Sequence, residues 1–298
     1  MKLTIDRLIK LIPEWKGKLI KVNPINSGIT NINFKVNVDK RVFFLSIPDS
    51  DSELLNIDYR NKYYNNKICG DIKISPRVAH FIESDNLLVT EFIKSKTASL
   101  TIFQSSKEIK QLVKKIKLLH NAKPFLRNFN MLSQISYYKN ILKEEYLPKE
   151  LFKYVNKIET LKQKLYLPND KLVSCHNDLL AENIINKDNQ IFIVDFDYSG
   201  NNDFCFDLGN LSVEMGYNEN QVNQLVKYYC GTIQEKILSR VYLQSIVSDI
   251  GWSLWGYLQS RISSLDYDFK KYASNRWERA VNKLESKDYK LWLACTNK

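Results

Sequence analysis

Three polar side chains in the second half of the sequence have the types and spacing needed for chemistry on a phosphate group. Asp178 and Asn183 lie five residues apart in HNDLLAEN, and Asp195 follows the apolar run IFIV. One carboxylate can accept the proton of a hydroxyl, while an amide oxygen and a second carboxylate can hold Mg²⁺ across phosphates. An Asp, four intervening residues, an Asn, then a strand ending in Asp is the order typical of phosphotransferases. The alternative is a polar loop whose Asp and Asn only cap turns.

The N-terminal third of the chain, which must form part of any such site, shows mostly strand patterns. NINFKVNV alternates apolar and polar residues and DK then turns the chain into RVFFLSI, so residues 32–47 predict a β-hairpin. A helix is predicted over residues 53–68 and another strand over residues 87–93.

After about residue 97 the apolar residues recur at helical spacing. Ser105 or Ser106 is a plausible N-cap for the first of these helices. The predicted helices cover residues 105–120, 133–145, 149–166 and segments beyond 203. The runs KLVSC and QIFIVDF flank the polar segment as predicted strands, which places that segment on a short hairpin. A small strand-rich part and a larger helical part together predict an α+β protein with its chemistry between the two.

Composition excludes several other classes of protein. Hydrophobic residues make up 44% of the 298 residues, and no run approaches the roughly 18 apolar residues of a membrane span. The first residues lack the apolar core of a signal peptide, which predicts a cytoplasmic protein. Five scattered cysteines predict reduced thiols, and three histidines offer little for a zinc site. The net charge of +11 is interspersed with acids, which favours a lysine-rich surface over nucleic-acid binding.

The segments that carry these residues resemble the choline/ethanolamine kinase family, within the larger aminoglycoside-phosphotransferase-like group. The similarity is piecewise but runs in order from about residue 20 to residue 275. The similar segments are INSGITNINFKV (phosphate loop), LVTEFI (hinge strand), VKKIKLLHNAKP, HNDLLAEN (catalytic loop), VDFDYSGNNDFCFDLGNLSVE and GWSLWGYLQSRISSLDY (aromatic substrate segment).

The resemblance implies a two-lobed, protein-kinase-like fold. Its N-lobe, residues 1–93, would be a small antiparallel sheet with a helix, and its C-lobe, residues 94–298, would be mainly helical, with the cleft between them. ATP and Mg²⁺ are the implied cofactors. The implied reaction is phosphorylation of choline to phosphocholine by a soluble enzyme without nucleic-acid partners; a homodimer is compatible with it.

The resemblance also implies roles for individual residues. Asp178 would be the catalytic base, with Asn183 and Asp195 as Mg²⁺ ligands. The nucleotide would be bound by Ser27, Gly28, Thr30 and Asn31 over its phosphates and by Glu91, Phe92 and Ile93 at the hinge. Structural support would come from His176, Asp197, Asn202 and Asp207.

The expected substrate site consists of aromatic residues and one carboxylate. Trp252 and Trp255 lie three apart, on one face if the segment is helical, and such a pair by itself is more typical of core residues. A quaternary ammonium donates no N–H hydrogen bond, so aromatic faces and a carboxylate are what bind it. The resemblance adds Glu214 as that carboxylate, with Tyr267 as a third aromatic ring and Tyr217 as a further contact. Ethanolamine, an aminoglycoside or thiamine are the alternative acceptors.

One departure from the family pattern concerns the phosphates. The family usually has an Arg or Lys on the third strand, where this chain has Ser46. The hypothesis is that Arg60 or Lys35 supplies the missing cation. An acidic partner is expected on the next helix, and both Asp58 and Arg60 lie near its place. A catalytically impaired nucleotide-binding scaffold is therefore the alternative from another class.

Overall fold

The computed structural model of the protein describes residues 4–25, 28, 30–49, 52–94, 102–166 and 171–296. Its N-terminal part is a five-stranded antiparallel sheet with the strand order β1-β2-β3-β5-β4. The strands are β1 (Ile20–Ile25), β2 (Asn31–Val38), β3 (Arg41–Pro48), β4 (Val78–Ile82) and β5 (Leu87–Glu91). Helix α1 (Ile5–Leu11) precedes the sheet, and α2 (Tyr59–Asp71) connects β3 to β4.

The two faces of this sheet differ in chemistry. The hairpin predicted over residues 32–47 is confirmed as β2 and β3, paired from Asn31–Pro48 to Val38–Arg41. Alternate apolar residues of these strands pack against α1 and Trp15 in one core cluster. Asn33 pairs with Ser46 on the opposite face, and Asn31 lies two residues earlier on that same face of β2. The sheet therefore presents polar side chains next to the polar segment of the C-terminal part.

Helix α2 begins later than the predicted residues 53–68. Residues Ser52–Leu55 form a separate 3₁₀ turn, because the carboxylate of Asp58 accepts the backbone N–H of Asn61 and so caps the helix at Asp58. The buried positions of α2 are mostly polar: Asn61, Lys62, Asn65, Asn66, Cys69 and Gly70. A helix with such a buried face is held by hydrogen bonds and ion pairs more than by apolar packing.

The C-terminal part is mostly helical. Its helices are α3 (Ser106–His120), α4 (Met131–Ile141), α5 (Val155–Leu165), α6 (Phe204–Glu214), α7 (Glu219–Cys230), α8 (Glu235–Ile262), α9 (Phe269–Glu285) and α10 (Asp288–Cys295). The N-cap of α3 is confirmed as Ser105, which forms a capping box with Glu108. Helix α4 starts before the predicted residue 133 because Asn130 caps it through the N–H groups of Leu132 and Ser133.

The predicted pairing of the two strands around the polar segment is wrong. Four short strands lie there: β6 (Val173–Cys175), β7 (Ile184–Lys187), β8 (Gln190–Ile193) and β9 (Gly200–Asn202). Strand β8 pairs with β7 across a turn at Asp188 and Asn189, whose positive φ values suit a tight hairpin. Strand β6 pairs with β9 instead. The polar segment therefore connects two small sheets, between β6 and β7.

Helix α8 is the central element of the helical part and is buried along most of its 28 residues. It packs against α6 at Gly209, where an added Cβ would lie 2.7 Å from both the amide nitrogen of Ser245 and the carbonyl oxygen of Val241. At Gly251, by contrast, an added Cβ would meet the side chain of Met131. The backbones of α6 and α8 thus approach each other at a position that accepts only glycine.

All five cysteines are free thiols, as their spacing predicts. Among the helices of the described residues, none has the length and apolar character needed to cross a membrane. The predicted division of the chain near residue 93 falls after β5 and stays a prediction.

Replacing Gly209 by alanine should destabilise the protein. The new methyl group meets backbone atoms of α8 that cannot rotate away, so we expect the free energy of unfolding to fall by about 1–3 kcal/mol. Gly251→Ala is the matched control, because the long Met131 side chain can move, and its loss should be smaller. Urea denaturation measures both, and equal stabilities of the two variants would contradict this view of the α6–α8 contact.

Candidate active site

Asp207 holds the polar segment that follows β6. Its carboxylate, fully buried in the first turn of α6, accepts the backbone N–H of His176 at 2.8 Å and that of Asn177 at 2.7 Å. His120 Nε2 lies 3.0 Å from the same carboxylate. Asn210, one turn further along α6, accepts the backbone N–H of Leu179 at 2.6 Å. Helix α6 thereby sets the position of Asp178, which lies between these anchored residues.

His176 and Asn177 connect this segment to the one that carries Asp195. His176 Nε2 donates to the carbonyl of Val194 at 2.9 Å, and burial lowers the pKa of the imidazole, which is therefore neutral at pH 7. Asn177 adopts a positive φ of 68° and donates to the carbonyl of Tyr198 at 2.9 Å. Asn202 donates to the side-chain oxygen of Asn177, also at 2.9 Å. The predicted support residues His176, Asn202 and Asp207 all belong to this network.

Hydrogen bonds to main-chain groups link Asp178, Asn183 and the segment of Asp195, the three residues singled out by their spacing. Asn183 donates its side-chain N–H to the carbonyl of Asp178 at 3.0 Å, and its own carbonyl accepts the N–H of Val194 at 2.9 Å. Asp195 follows directly and has a φ of 67°, a strained conformation for a residue with a side chain. Since the side-chain nitrogen of Asn183 donates to Asp178, its side-chain oxygen is the atom that could bind a metal ion.

Burial and crowding of acids change the protonation of these carboxyls. Burial, with the negative charges of Glu214 and Asp197, raises the pKa of Asp178 to about 8, against the opposing effect of Arg276. Burial, with the neighbouring charge of Asp197, raises the pKa of Asp195 well above its ordinary range. Two close carboxylates disfavour each other's ionisation, and a divalent cation would relieve that repulsion. The oxygens of Asn183 and Asp195 are the hard donors that Mg²⁺ prefers, so this pair fits that ion.

Asp197 has two partners from the N-terminal part of the chain. Lys62 of α2 forms a buried ion pair with one of its oxygens, and Asn31 at the start of β2 donates to the other at 2.8 Å. Burial alone would raise the pKa of Asp197, but the charge and hydrogen bond of Lys62, with that of Asn31, hold it below its ordinary value. Sequence reasoning missed Lys62, which no motif marks.

The cations proposed from the sequence lie elsewhere. Arg60 is 77% exposed and pairs with Glu83 at 2.7 Å, which does not favour the part of the hypothesis that names Arg60. Lys35 lies over the ring of Phe92, 5.1 Å from its centroid. Asp58 is the N-cap of α2 and pairs with Arg127. Helix α2 therefore brings a lysine, Lys62, to the site where an acidic residue was expected.

Of the predicted nucleotide-binding residues, Asn31 contacts Asp197, and Ser27 lies outside the described residues. Gly28 has a φ of +91°, and an added Cβ would lie 2.7 Å from the side chain of Asn33, so only glycine fits. Thr30 precedes Asn31, the partner of Asp197.

The predicted hinge ends β5. Glu91 and Phe92 donate their backbone N–H groups to the carbonyls of Arg77 and Val42. These two N–H groups are therefore not free to bind a nucleotide base.

The two tryptophans are brought together on α8 but are mainly core residues. Each is 2% exposed, and their ring centroids lie 6.0 Å apart. Trp255 donates its indole N–H to the hydroxyl of Tyr198 at 2.8 Å, and Trp252 contacts the same ring edge-on. Tyr272 of α9 contacts Trp255 at 5.7 Å and is only partly buried, so its ring is the more accessible one.

Glu214 has a cationic partner within the chain. Arg276 of α9 lies 2.6 Å from its carboxylate, and both side chains are buried. The guanidinium also stacks on Tyr272, 4.4 Å from the ring centroid. Tyr272 and Arg276 were missed, although their spacing of four residues on a helix places them on one face, which is a signal that the sequence contains.

The other two predicted substrate residues, Tyr217 and Tyr267, lie outside the group formed by Trp252, Trp255 and Tyr198. Tyr217 packs with α3 and α7 and donates its hydroxyl to the carbonyl of Phe103 at 2.7 Å. Tyr267 is 45% exposed and contacts Tyr272 at 6.2 Å between ring centroids, at the edge of the aromatic group.

Comparison with known proteins places this geometry in a family. The sequence model described as choline/ethanolamine kinase matches residues 22–231, which is most of the chain. The chain belongs to the choline/ethanolamine kinase family. Mouse ethanolamine kinase 2 is 26% identical to it in an alignment that covers 92% of this chain and 79% of the mouse protein.

Solved structures support the same assignment and the fold. A choline/ethanolamine kinase family protein from Mesorhizobium loti superposes with a TM-score of 0.82 at 27% identity and covers 98% of both chains. Choline kinase LicA from Streptococcus pneumoniae has a TM-score of 0.80 at 21% identity, covering 94% of this chain and 98% of its own. Spectinomycin phosphotransferase shares the fold, with a TM-score of 0.62 at 17% identity over 96% of this chain and 100% of its own. The predicted α+β, protein-kinase-like fold of this kinase family member is confirmed.

In this choline/ethanolamine kinase family member, ionisation of Asp178 should reduce stability. Its folded pKa of about 8 exceeds its ordinary value of 3.8, so between about pH 4 and 8 the folded state keeps a proton that the unfolded state has lost. Stability therefore falls as pH rises through this window, by at most about 1.4 kcal/mol for each pH step of one. Asp178→Asn removes this loss. We expect its stability relative to wild type to be higher at pH 8 than at pH 5, by at most about 4 kcal/mol over these three pH steps.

Urea denaturation of the metal-free and nucleotide-free protein at the two pH values measures this difference. Asp188→Asn is the control, because Asp188 is exposed in the β7–β8 turn, where asparagine also tolerates the positive φ. A difference between Asp178→Asn and wild type that does not change with pH would show that Asp178 is ionised normally.

Proposed function

We propose that the protein transfers the γ-phosphate of ATP to the hydroxyl of choline, giving phosphocholine and ADP. The observation that carries this proposal is that Asp178 lies near two groups of charged residues. Asp197 and the Glu214–Arg276 pair are both close enough to act on its charge. Asp197 contacts Asn31 at the start of β2, and Arg276 contacts the ring of Tyr272. A phosphate donor bound beside Asp197 and a cationic alcohol bound beside Tyr272 would meet at Asp178.

Asp178 is the proposed base in its ionised form, whose population grows as pH rises towards its raised pKa of about 8. Its carboxylate accepts the proton of the choline hydroxyl as the oxygen–phosphorus bond forms and the bond to the β-phosphate oxygen breaks, with ADP as the leaving group. The hydrogen bonds that Asp207 and Asn210 accept from the backbone on either side of Asp178 hold its main chain in place before the substrate arrives. Such positioning is most of what this reaction requires from a protein.

The nucleotide side is proposed to hold Mg²⁺ with the phosphates. Asn183 and Asp195 would bind the ion, whose charge neutralises the phosphate oxygens when it is bound. Backbone N–H groups around Gly28, Thr30 and Asn31 suit anionic phosphate oxygens, and the segment Glu91–Ile93 suits the base. The free thiols and the use of ATP fit a cytoplasmic enzyme.

The acceptor side favours choline over ethanolamine on chemical grounds. A primary ammonium needs hydrogen-bond acceptors, and the carboxylate of Glu214 is already engaged by Arg276. A trimethylammonium group needs aromatic faces instead, which the rings of Tyr267 and Tyr272 would supply beside the guanidinium of Arg276 that stacks on Tyr272. The mouse relative is named as an ethanolamine kinase and the Streptococcus pneumoniae structure as a choline kinase, so ethanolamine is the second candidate.

A turnover assay with a panel of acceptors tests the function. With ATP and Mg²⁺, we expect choline to be phosphorylated with a higher kcat/KM than ethanolamine, and an aminoglycoside or thiamine not at all. Asp178→Ala should reduce kcat by about 10²–10⁴-fold, because a positioned base contributes that much. ADP release and mass spectrometry of the product measure both. ATP binding without turnover of any acceptor would favour the scaffold alternative.

The aromatic contact can be tested separately at Tyr272. Tyr272→Leu removes the ring, and we expect the KM for choline to rise about tenfold with little change in kcat, since the contact serves ground and transition states alike. Tyr272→Phe keeps the ring and should stay close to wild type. An unchanged KM in Tyr272→Leu would argue against Tyr272 as part of the choline site.

A further inference from the structure

Strand β3 brings no positive charge to the nucleotide side of the site. Ser46 lies where the family pattern usually has an arginine or lysine, and it is a buried, neutral residue that faces Asn33 and Leu88 on the adjacent strands. The same side also contains the carboxylates of Asp195 and Asp197. A chain of phosphates would add further negative charge there, so a cation is needed nearby.

Lys62 is such a cation. Its side chain is 6% exposed and forms an ion pair with Asp197. Among the lysines and arginines of the described residues, Lys62 and Arg276 are the two that are buried. Arg276 forms an ion pair with Glu214, on the side proposed to bind the alcohol. An ammonium group is costly to bury, and helix α2 nevertheless directs this one into the site.

The surroundings place the Lys62 ammonium beside the proposed phosphate position. Asn31, which follows Gly28 and Thr30, donates to the second oxygen of the same Asp197 carboxylate. Asn61 and Asn65, on the same helix as Lys62, donate to the carbonyl and hydroxyl oxygens of Ser199 at 2.7 and 2.8 Å. Helix α2 is thus hydrogen-bonded to the segment after Asp195. Lys62 of this helix and Asn31 at the start of β2 both bind the carboxylate of Asp197.

We propose that Lys62 is the phosphate-binding cation of this protein, carried by helix α2 in place of the usual cation on strand β3. It contacts the phosphates of the bound nucleotide while it remains paired with Asp197. This inference rests on the proposed function, since it takes ATP as the phosphate donor. It also explains how the site can retain activity with Ser46 on the third strand.

Calorimetric titration with ADP in the presence of Mg²⁺ tests this directly, without turnover. Lys62→Met should raise the Kd for ADP by about tenfold or more, because a charge-assisted contact is lost. Lys62→Arg keeps the charge and should stay within about threefold of wild type. Lys67→Met is the matched control, since Lys67 is an exposed lysine on the same helix, and its Kd should be unchanged. An unchanged Kd in Lys62→Met would overturn the proposal.

A double variant separates contact with phosphate from neutralisation of Asp197. If Lys62 only balances the charge of Asp197, then Lys62→Met/Asp197→Asn should bind ADP as Asp197→Asn alone does. Under our proposal the double variant still binds about tenfold more weakly than Asp197→Asn. This comparison also serves if Lys62→Met does not fold, because the double variant leaves neither member of the ion pair unpaired.

Choline turnover by the wild-type protein distinguishes this inference from the function on which it rests. If wild type phosphorylates choline while Lys62→Met binds ADP normally, the function stands and the role of Lys62 is wrong. If ADP binding depends on Lys62 but no acceptor is phosphorylated, the proposed function is wrong and the role of Lys62 in nucleotide binding stands.

Discussion

The site depends on one buried carboxylate, that of Asp207. It accepts the backbone N–H groups of His176 and Asn177, and it lies in the first turn of α6, where the helix dipole favours a negative charge. Charge-assisted hydrogen bonds of this kind are among the stronger ones in proteins. They fix the backbone at Asp178. His176 also connects this backbone to the segment of Asp195, because its Nε2 donates to the carbonyl of Val194.

Two buried ion pairs organise the remaining charge at opposite sides of the site. Lys62 pairs with Asp197 near the start of β2, and Arg276 pairs with Glu214 near the aromatic rings. Buried ion pairs contribute little net stability compared with apolar packing, so such pairs are better explained by the arrangement of charge that they impose. Among the described residues Asp178 forms no ion pair of its own, and burial with the nearby acids raises its pKa to about 8 against the opposing charge of Arg276.

Helix α2 differs from the other helices because its buried face is mostly polar. The cores of the protein are built from apolar residues of the sheet and of the large helices, chiefly α8. Helix α2 instead buries asparagines and a lysine, which bond to Ser199 and Asp197. Its contacts therefore serve the site, and its sequence does not resemble that of a helix selected for apolar packing.

Features that depend on neighbouring residues could be predicted from the amino-acid sequence alone. The alternation of β2 and β3, the Ser105 capping box and the spacing of Asp178, Asn183 and Asp195 are local, because periodicity, caps and short loops act within a few residues. The pairing of β6 with β9, and the choice of Lys62 and Arg276 as partners of Asp197 and Glu214, emerged only in the folded chain. These contacts join segments far apart in the chain, and a charged residue shows its partner only once packing has brought the two together and excluded water.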